Sequence, residues 1–233
     1  MPPRLIHEGS TPSTMPQMEL LSDTWAYMVD NQDRVRDALI VHISLSLAAL
    51  LLAMLIFIPL GVLASRGGSV TTTVISVVAA FRVVPSLAVI LLLLPSFGLG
   101  WRPALVALTV LAGPPLVLNT DAGIRGVDPA TLEAATGLGL TNRQRFWRVT
   151  VPLALPVIIA GIRTAAVEVI ASATLASFVG AGGLGDFITS GVTLLDERTL
   201  LTGAILVTLL ALSTEVGLSL LERRVSPPRT NPA

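Results

Sequence analysis

Read as alternating hydrophobic and polar stretches, the chain is a polar leader followed by five long apolar runs with polar intervals between them. Residues 43–65 carry no charged side chain and are long enough to cross about 30 Å of hydrocarbon as a helix. Pro59 and Gly61, near the end of this run, can kink it where neighbouring helices re-satisfy the backbone. Residues 70–94 are apolar except for Arg82; Pro85, three residues on, predicts one bent span, with two half-spans as the alternative. Residues 103–120 form a third run, weakened by Gly113-Pro114-Pro115 and ending at Asn119, Thr120 and Asp121. Residues 152–179 form a fourth, interrupted by Arg163 and Glu168, and residues 200–221 a fifth, with Glu215 near its end. The pattern predicts an all-α polytopic membrane protein of five transmembrane helices, its membrane domain covering residues 38–224.

The polar intervals carry the remaining organisation. Residues 1–37 read as a loose tail with Pro2, Pro3, Pro12 and Pro16, and with no apolar core of the length a secretory signal needs. Within it Leu20, Leu21, Thr24, Trp25, Met28 and Val29 recur at helical spacing, which predicts either a short amphipathic helix at the membrane interface or a frayed leader. Residues 128–151 form the longest polar interval after the leader, and such a segment in a lipid-soluble chain needs a partner in water. Its helix formers Leu132, Glu133, Ala134 and Ala135 predict one short helix, and Gly137 and Gly139 a break where φ can turn positive. A second short helix is expected over residues 141–149, capped by Thr141, with Phe146, Trp147 and Val149 on its apolar side. Residues 225–233 are a C-terminal tail.

Composition narrows the function classes. The 233 residues are 52% hydrophobic and 13% charged, with a mean hydropathy of +0.79, so the bilayer is the expected solvent. Membrane lipid is therefore one partner. A formal net charge of zero speaks against a nucleic-acid partner. There is no Cys, and every basic residue is Arg, which removes thiol, zinc-thiolate and lysine Schiff-base chemistry. His7 and His42 are the two histidines and show no ligand spacing, so no metal site is expected and His42 reads as an interfacial anchor at the head of the first span. No acid, base and nucleophile set converges, so no catalytic residue is proposed and the chain is not expected to be an enzyme.

The polar interval has a recognisable spacing. Glu133-Ala134-Ala135, three residues, Gly139, nine residues, then Val149-Thr150-Val151-Pro152 resembles the EAA loop of ABC-importer permeases, with Val149 and Val151 where that pattern has Ile and Leu. Phe81-Arg82-Val83-Val84-Pro85-Ser86-Leu87-Ala88 resembles a segment of the permeases for glycine betaine, carnitine and choline, as do Asn119-Thr120, residues 123–129 and residues 160–165. Leu118, Asp121 and Glu168 depart from that branch. The resemblance covers roughly residues 41–221 and implies a methionine-permease-like ABC importer fold. It also implies that the Glu133 loop is cytoplasmic and docks on a separate ATP-hydrolysing subunit through Glu133, Ala134, Ala135, Gly139, Arg143, Arg145 and Phe146. A second permease copy or paralogue and an extracytoplasmic substrate-binding protein complete the implied assembly. The chain has no phosphate-cradling G-x-x-x-x-G-K-[ST] loop, so ATP is expected on the partner and no cofactor on this chain.

Gly180-Ala181-Gly182-Gly183-Leu184-Gly185 satisfies the string of a dinucleotide site but follows an apolar span rather than a strand, so it reads as a compact external turn with its backbone close to neighbours. With Phe178, Val179 and Asp186 it also resembles the segment after the fourth span of osmoprotectant and methionine permeases. Arg82, Arg163 and Glu168 are ionisable groups in apolar runs that should point inward or pair. With Asn119 they are candidates for a pathway contact or a structural ion pair. The pair preferred is Arg82 with Glu168, locking spans two and four.

Arg counts set orientation. Placing the Glu133 loop inside also places Arg66, Arg125, Arg143, Arg145, Arg148, Arg223, Arg224 and Arg229 inside, against Arg4, Arg34, Arg36, Arg102 and Arg198 outside. An external N-terminus and a cytoplasmic C-terminus in the cell membrane are expected. The cargo expected is an osmoprotectant such as glycine betaine, carnitine, choline or proline; a methionine or other small-solute permease is the alternative, and a scaffold or channel that holds a cytosolic partner is a rival from another class. Aromatic residues, the usual cage for quaternary ammonium, are 4% and scattered, so tight recognition is expected in the binding protein and weak binding along the pathway.

Overall fold

A computed structural model describes residues 17–225, and among them every regular element is helical. The proline-bearing leader residues up to Pro16, with Arg4 and His7, and the tail from residue 226, with Arg229, lie outside the described residues. Among the described residues four helices are long and apolar enough to cross a membrane: Gln32–Ala64, Trp101–Arg125, Asn142–Val179 and Glu197–Val225. The bent pair Thr71–Phe81 and Ser86–Phe97, meeting at 95°, makes a fifth span when taken as one.

The leader is more ordered than its polarity suggests. The expected interfacial helix is present as α1 (Gln17–Asp30), and α2 (Gln32–Ala64) starts eleven residues before the apolar run, so residues 17–37 are not a loose tail. The 33 residues of α2 extend for about 50 Å, more than the roughly 30 Å of hydrocarbon, so its charged first turns project beyond the bilayer. Thr24 is buried where α1 packs along the last span, α12 (Glu197–Val225), whereas Leu21, Trp25 and Val29 stay exposed one turn apart. Arg34 lies 4.7 Å over the Phe187 ring. Asp186 stands nearby; burial pushes its carboxyl up, against the opposing charge of Arg34.

In α2 the buried positions are His42, Leu45, Ser46, Ala49, Ala53, Gly61 and Ala64, a stripe of small side chains, while Leu47, Leu51 and Leu55 face outward. That division suits lipid on one side and close helix packing on the other. The α3 helix (Gly68–Phe81) is peripheral, and α4 (Ser86–Leu92) leads into the short α5 (Leu94–Phe97). The bend between α3 and α4 falls at Arg82 to Pro85, where Pro85 has no N–H to continue the ladder.

The expected break at Gly113-Pro114-Pro115 is present as a change of helix at Ala112, yet the two pieces make one span. It runs as α6 (Trp101–Leu111) and α7 (Gly113–Arg125): the span continues across the break because both prolines fall in the first turn of α7, where a missing N–H costs nothing, and it ends at Arg125, beyond the expected Thr120. The fourth span likewise starts earlier than residue 152. The second short helix expected over 141–149 is its base: α9 (Asn142–Arg145) passes through a π-helical turn, Phe146–Thr150, straight into α10 (Val151–Ala173) and a 3₁₀ turn, Thr174–Val179. The α11 helix (Gly185–Leu194) packs against α12. Asp196 caps α12, accepting from Thr199 Oγ1 at 2.6 Å and Arg198 N at 3.2 Å, and these bonds hold its carboxyl below the ordinary range. The core where α2, α6 and α10 meet is built from Ala49, Ala53, Ala104, Ala107, Ala165 and Ala173 around Leu45, Leu108 and Val169.

Candidate functional site

The polar interval folds as a helix, an elbow and the base of a span. Asp128 caps α8 (Pro129–Gly137) by accepting from Ala130 N at 3.1 Å, with Pro129 supplying the preset φ of the first turn. Gly139, at φ +82, forms the elbow, and its N–H donates to Thr136 O at 2.9 Å while Leu140 N donates to Ala135 O at 3.2 Å. Thr141 and Gln144 then form a reciprocal capping box that opens α9. Arg145 Nη1 donates to Thr136 Oγ1 at 3.0 Å and ties the two arms together. Phe146 and Trp147 meet edge to face at 5.2 Å.

These bonds leave a defined outer surface. Ala135 is buried, whereas Glu133, Ala134 and Arg143 are exposed. Leu138 is 81% exposed at the tip, an apolar side chain on a polar loop, and Glu133 has no partner within the described residues. Between the loop and the ends of α2 and α7 lies a cleft of about 640 Å³ whose walls include Arg66, Arg125, Arg143 and Arg145. The structure thus gathers at one end of the bundle the arginines that the sequence grouped together. A small smooth helix with a protruding leucine and a free carboxylate, braced by a continuous span, can enter a complementary cleft on another protein and pass a displacement to the bundle.

At the opposite end the glycine run forms the expected turn. Gly180, Gly182 and Gly183 all have positive φ, and a Cβ on Gly183 would stand 3.2 Å from His42 Nδ1. At Gly185 an added Cβ would overlap the Thr174 carbonyl. His42 is not an interfacial anchor. It is fully buried, its Nδ1 accepting from Leu184 N at 3.3 Å and its Nε2 facing Ile170 O at 3.1 Å, which fixes the neutral tautomer with Nε2 as donor. The first span, the fourth span and the glycine turn are clasped by this one ring. The signal that could have found it is a lone imidazole beside a run rich in alanine and leucine.

The intramembrane charges are arranged differently from the expected pairing. Arg82 and Glu168 line one small cavity but form no ion pair with each other. Arg163 instead meets Glu215 at 3.2 Å and Glu222 at 3.5 Å, both on α12. Glu215 and Glu222 are seven residues apart and share a helix face, a spacing that marks them as a joint partner for one guanidinium. Asn119 is a packing residue, its amide donating to Pro115 O at 2.8 Å beside Gly161. Replacing Arg163 with Met should lower stability by about 1–2 kcal/mol, a figure reduced because the three groups are partly exposed. Thermal unfolding in detergent measures this, and adding Glu215→Gln and Glu222→Gln should recover part of the loss.

Residues 57–227 match the family model of the binding-protein-dependent transport system inner membrane component. The chain is 46% identical over 186 residues to the carnitine transport permease protein OpuCB of Listeria monocytogenes, covering 80% of this chain and 85% of that one. It is 42% identical to the choline transport system permease protein OpuBB of Bacillus subtilis, with 80% and 86% covered. To the osmoprotectant import permease protein OsmW of Salmonella typhimurium it is 37% identical, with 82% and 91% covered. The inward-facing MetNI methionine ABC transporter superposes with a TM-score of 0.74 at 21% identity, covering 92% of this chain and 100% of that one, and so shares the fold. With the spans, the loop and these matches together, the chain belongs to the binding-protein-dependent inner-membrane components and is a non-catalytic permease subunit of an ABC importer.

Proposed function

We propose that this permease carries a small quaternary-ammonium or related osmoprotectant such as glycine betaine, carnitine, choline or proline. The observation that carries the importer mechanism is the braced Glu133-to-Gly139 elbow, which presents Leu138 and an unpartnered Glu133 away from the bundle. A cytosolic ATPase subunit receives that surface through Glu133, Ala134, Ala135, Gly139, Arg143, Arg145 and Phe146, and ATP binds there rather than on this chain. A second permease, identical or paralogous, and an external binding protein complete the machine. Nucleotide then biases two states of the bundle, as any ligand with unequal affinity for two conformations must. The cargo assignment is supported by the carnitine and choline permeases at 46% and 42% identity. The arginine-rich end around Arg66, Arg125 and Arg143 faces the cytoplasm, which puts the N-terminus outside.

Uptake of radiolabelled glycine betaine, carnitine and choline by cells with and without the chain tests this reading. ATP-dependent accumulation of at least one of the three is expected. Accumulation of methionine alone, or flux that persists in ATP-depleted vesicles, would overturn it.

A further inference from the structure

Arg82, Glu168 and Phe81 line a cavity of about 140 Å³ at the bend between α3 and α4, together with Ser86, Ser172 and Pro114. Neither charged residue has an ion-pair partner among the described residues, unlike Arg163. Glu168 belongs to a stripe on α10 that the single chain leaves uncovered, with Val157, Thr164 and Ala171, at spacings of one or two helical turns. A carboxylate on that stripe is too costly to leave in hydrocarbon, so the stripe must face an aqueous route or another protein surface. A guanidinium, a carboxylate and an aromatic ring opening on one cavity have the polarity of a zwitterion in mirror image. A solute carboxylate would take the Arg82 fork, and a quaternary ammonium, which has no N–H to donate, would be held by the charge of Glu168 and the face of Phe81.

We infer that Arg82 and Glu168 form a transient subsite in the translocation route that orients zwitterionic cargo by its two ends. The inference rests on the osmoprotectant reading and adds to it a cargo-dependent role for each residue. Because the two groups share the cavity without closing into an ion pair, they can bind and release a solute without first breaking a bond within the protein. One ring and one carboxylate make a weak site, which a route that must also let its cargo go requires.

The test compares zwitterionic glycine betaine and carnitine with cationic choline, using the assembled importer in proteoliposomes at fixed ATP. Arg82→Gln should lower betaine and carnitine uptake roughly tenfold, the loss of one charge-assisted hydrogen bond, while choline uptake stays within about twofold of the parent. Glu168→Gln should lower all three. Arg82→Lys should restore part of the zwitterion uptake. Equal losses for choline and betaine in Arg82→Gln would assign a structural role and overturn the inference, as would unchanged uptake in either Gln variant. Recovery of the assembled complex and its basal ATP hydrolysis separate failed assembly from failed passage; if Arg82→Gln does not assemble, the Lys variant must show the same cargo bias in weaker form or the inference falls. A parent complex that moves none of the three solutes refutes the cargo reading itself.

Discussion

Gly161→Leu is expected to strip the folded permease from detergent extracts and from the membrane fraction. A Cβ at Gly161 would stand 2.5 Å from Asn119 Cβ and 3.0 Å from Pro115 O, and the second of these is backbone that cannot turn aside. Asn119 is itself held by its bond to Pro115 O, so the obstruction is rigid. The same close approach recurs at Gly61, where a Cβ would lie 2.6 Å from Thr120 Cβ, and at Gly123, 3.0 Å from Ala154 O. Three glycines thus let α2, α7 and α10 touch almost backbone to backbone. Inside a bilayer no hydrophobic force drives helices together, so this packing carries the association. Forcing a leucine into it should cost about 3 kcal/mol or more, a large share of the roughly 5–15 kcal/mol that holds a typical domain. Gly161→Ala should be milder, and Gly217→Leu, where an added Cβ meets nothing within 4 Å, should be silent. Thermal stability followed by size-exclusion chromatography reads all three; an unchanged melting temperature in Gly161→Leu would show that the spans are not packed in this way.

The features legible in the sequence are those set by neighbours along the chain. Apolar runs announced the spans, Thr141 announced a cap, and Gly139 announced the elbow, because each signal is complete within a turn or two. The misjudged features depend on position within a helix or on distant partners. Gly113-Pro114-Pro115 does break the helix, but that the span carries on across it shows only once the prolines are placed in a first turn. Residues 32–37 look like tail because a helix that projects beyond the hydrocarbon is polar there. Arg163 finds its carboxylates on the last span, more than fifty residues away, and His42 finds its bonds on α10 and the glycine turn. The 95° bend at Arg82 was foreseen as a bend, but its angle depends on what packs around it.

Gly139→Val should uncouple transport while leaving the bundle intact. Gly139 holds φ +82, a conformation that a β-branched residue reaches at a cost of about 1–2 kcal/mol or more, so the elbow would open rather than pay it. Nothing lies within 4 Å of an added Cβ there, so no core contact is lost and insertion should be unaffected. The arm that carries Glu133, Ala134 and Leu138 would then point elsewhere relative to α9, which continues into α10 and through which the proposed lever would act. Uptake should drop at least tenfold, equivalent to about 1.4 kcal/mol of coupling, and recovery of the ATPase subunit on the purified permease should fall with it. Glu133→Arg, which keeps the elbow and reverses the exposed charge, should weaken the same association without disturbing the helix. If both variants transport at the parent rate, displacement does not pass through this elbow. If Gly139→Val loses transport yet retains the ATPase partner in full, the loop transmits motion and the partner is held elsewhere, so the two measurements divide docking from leverage.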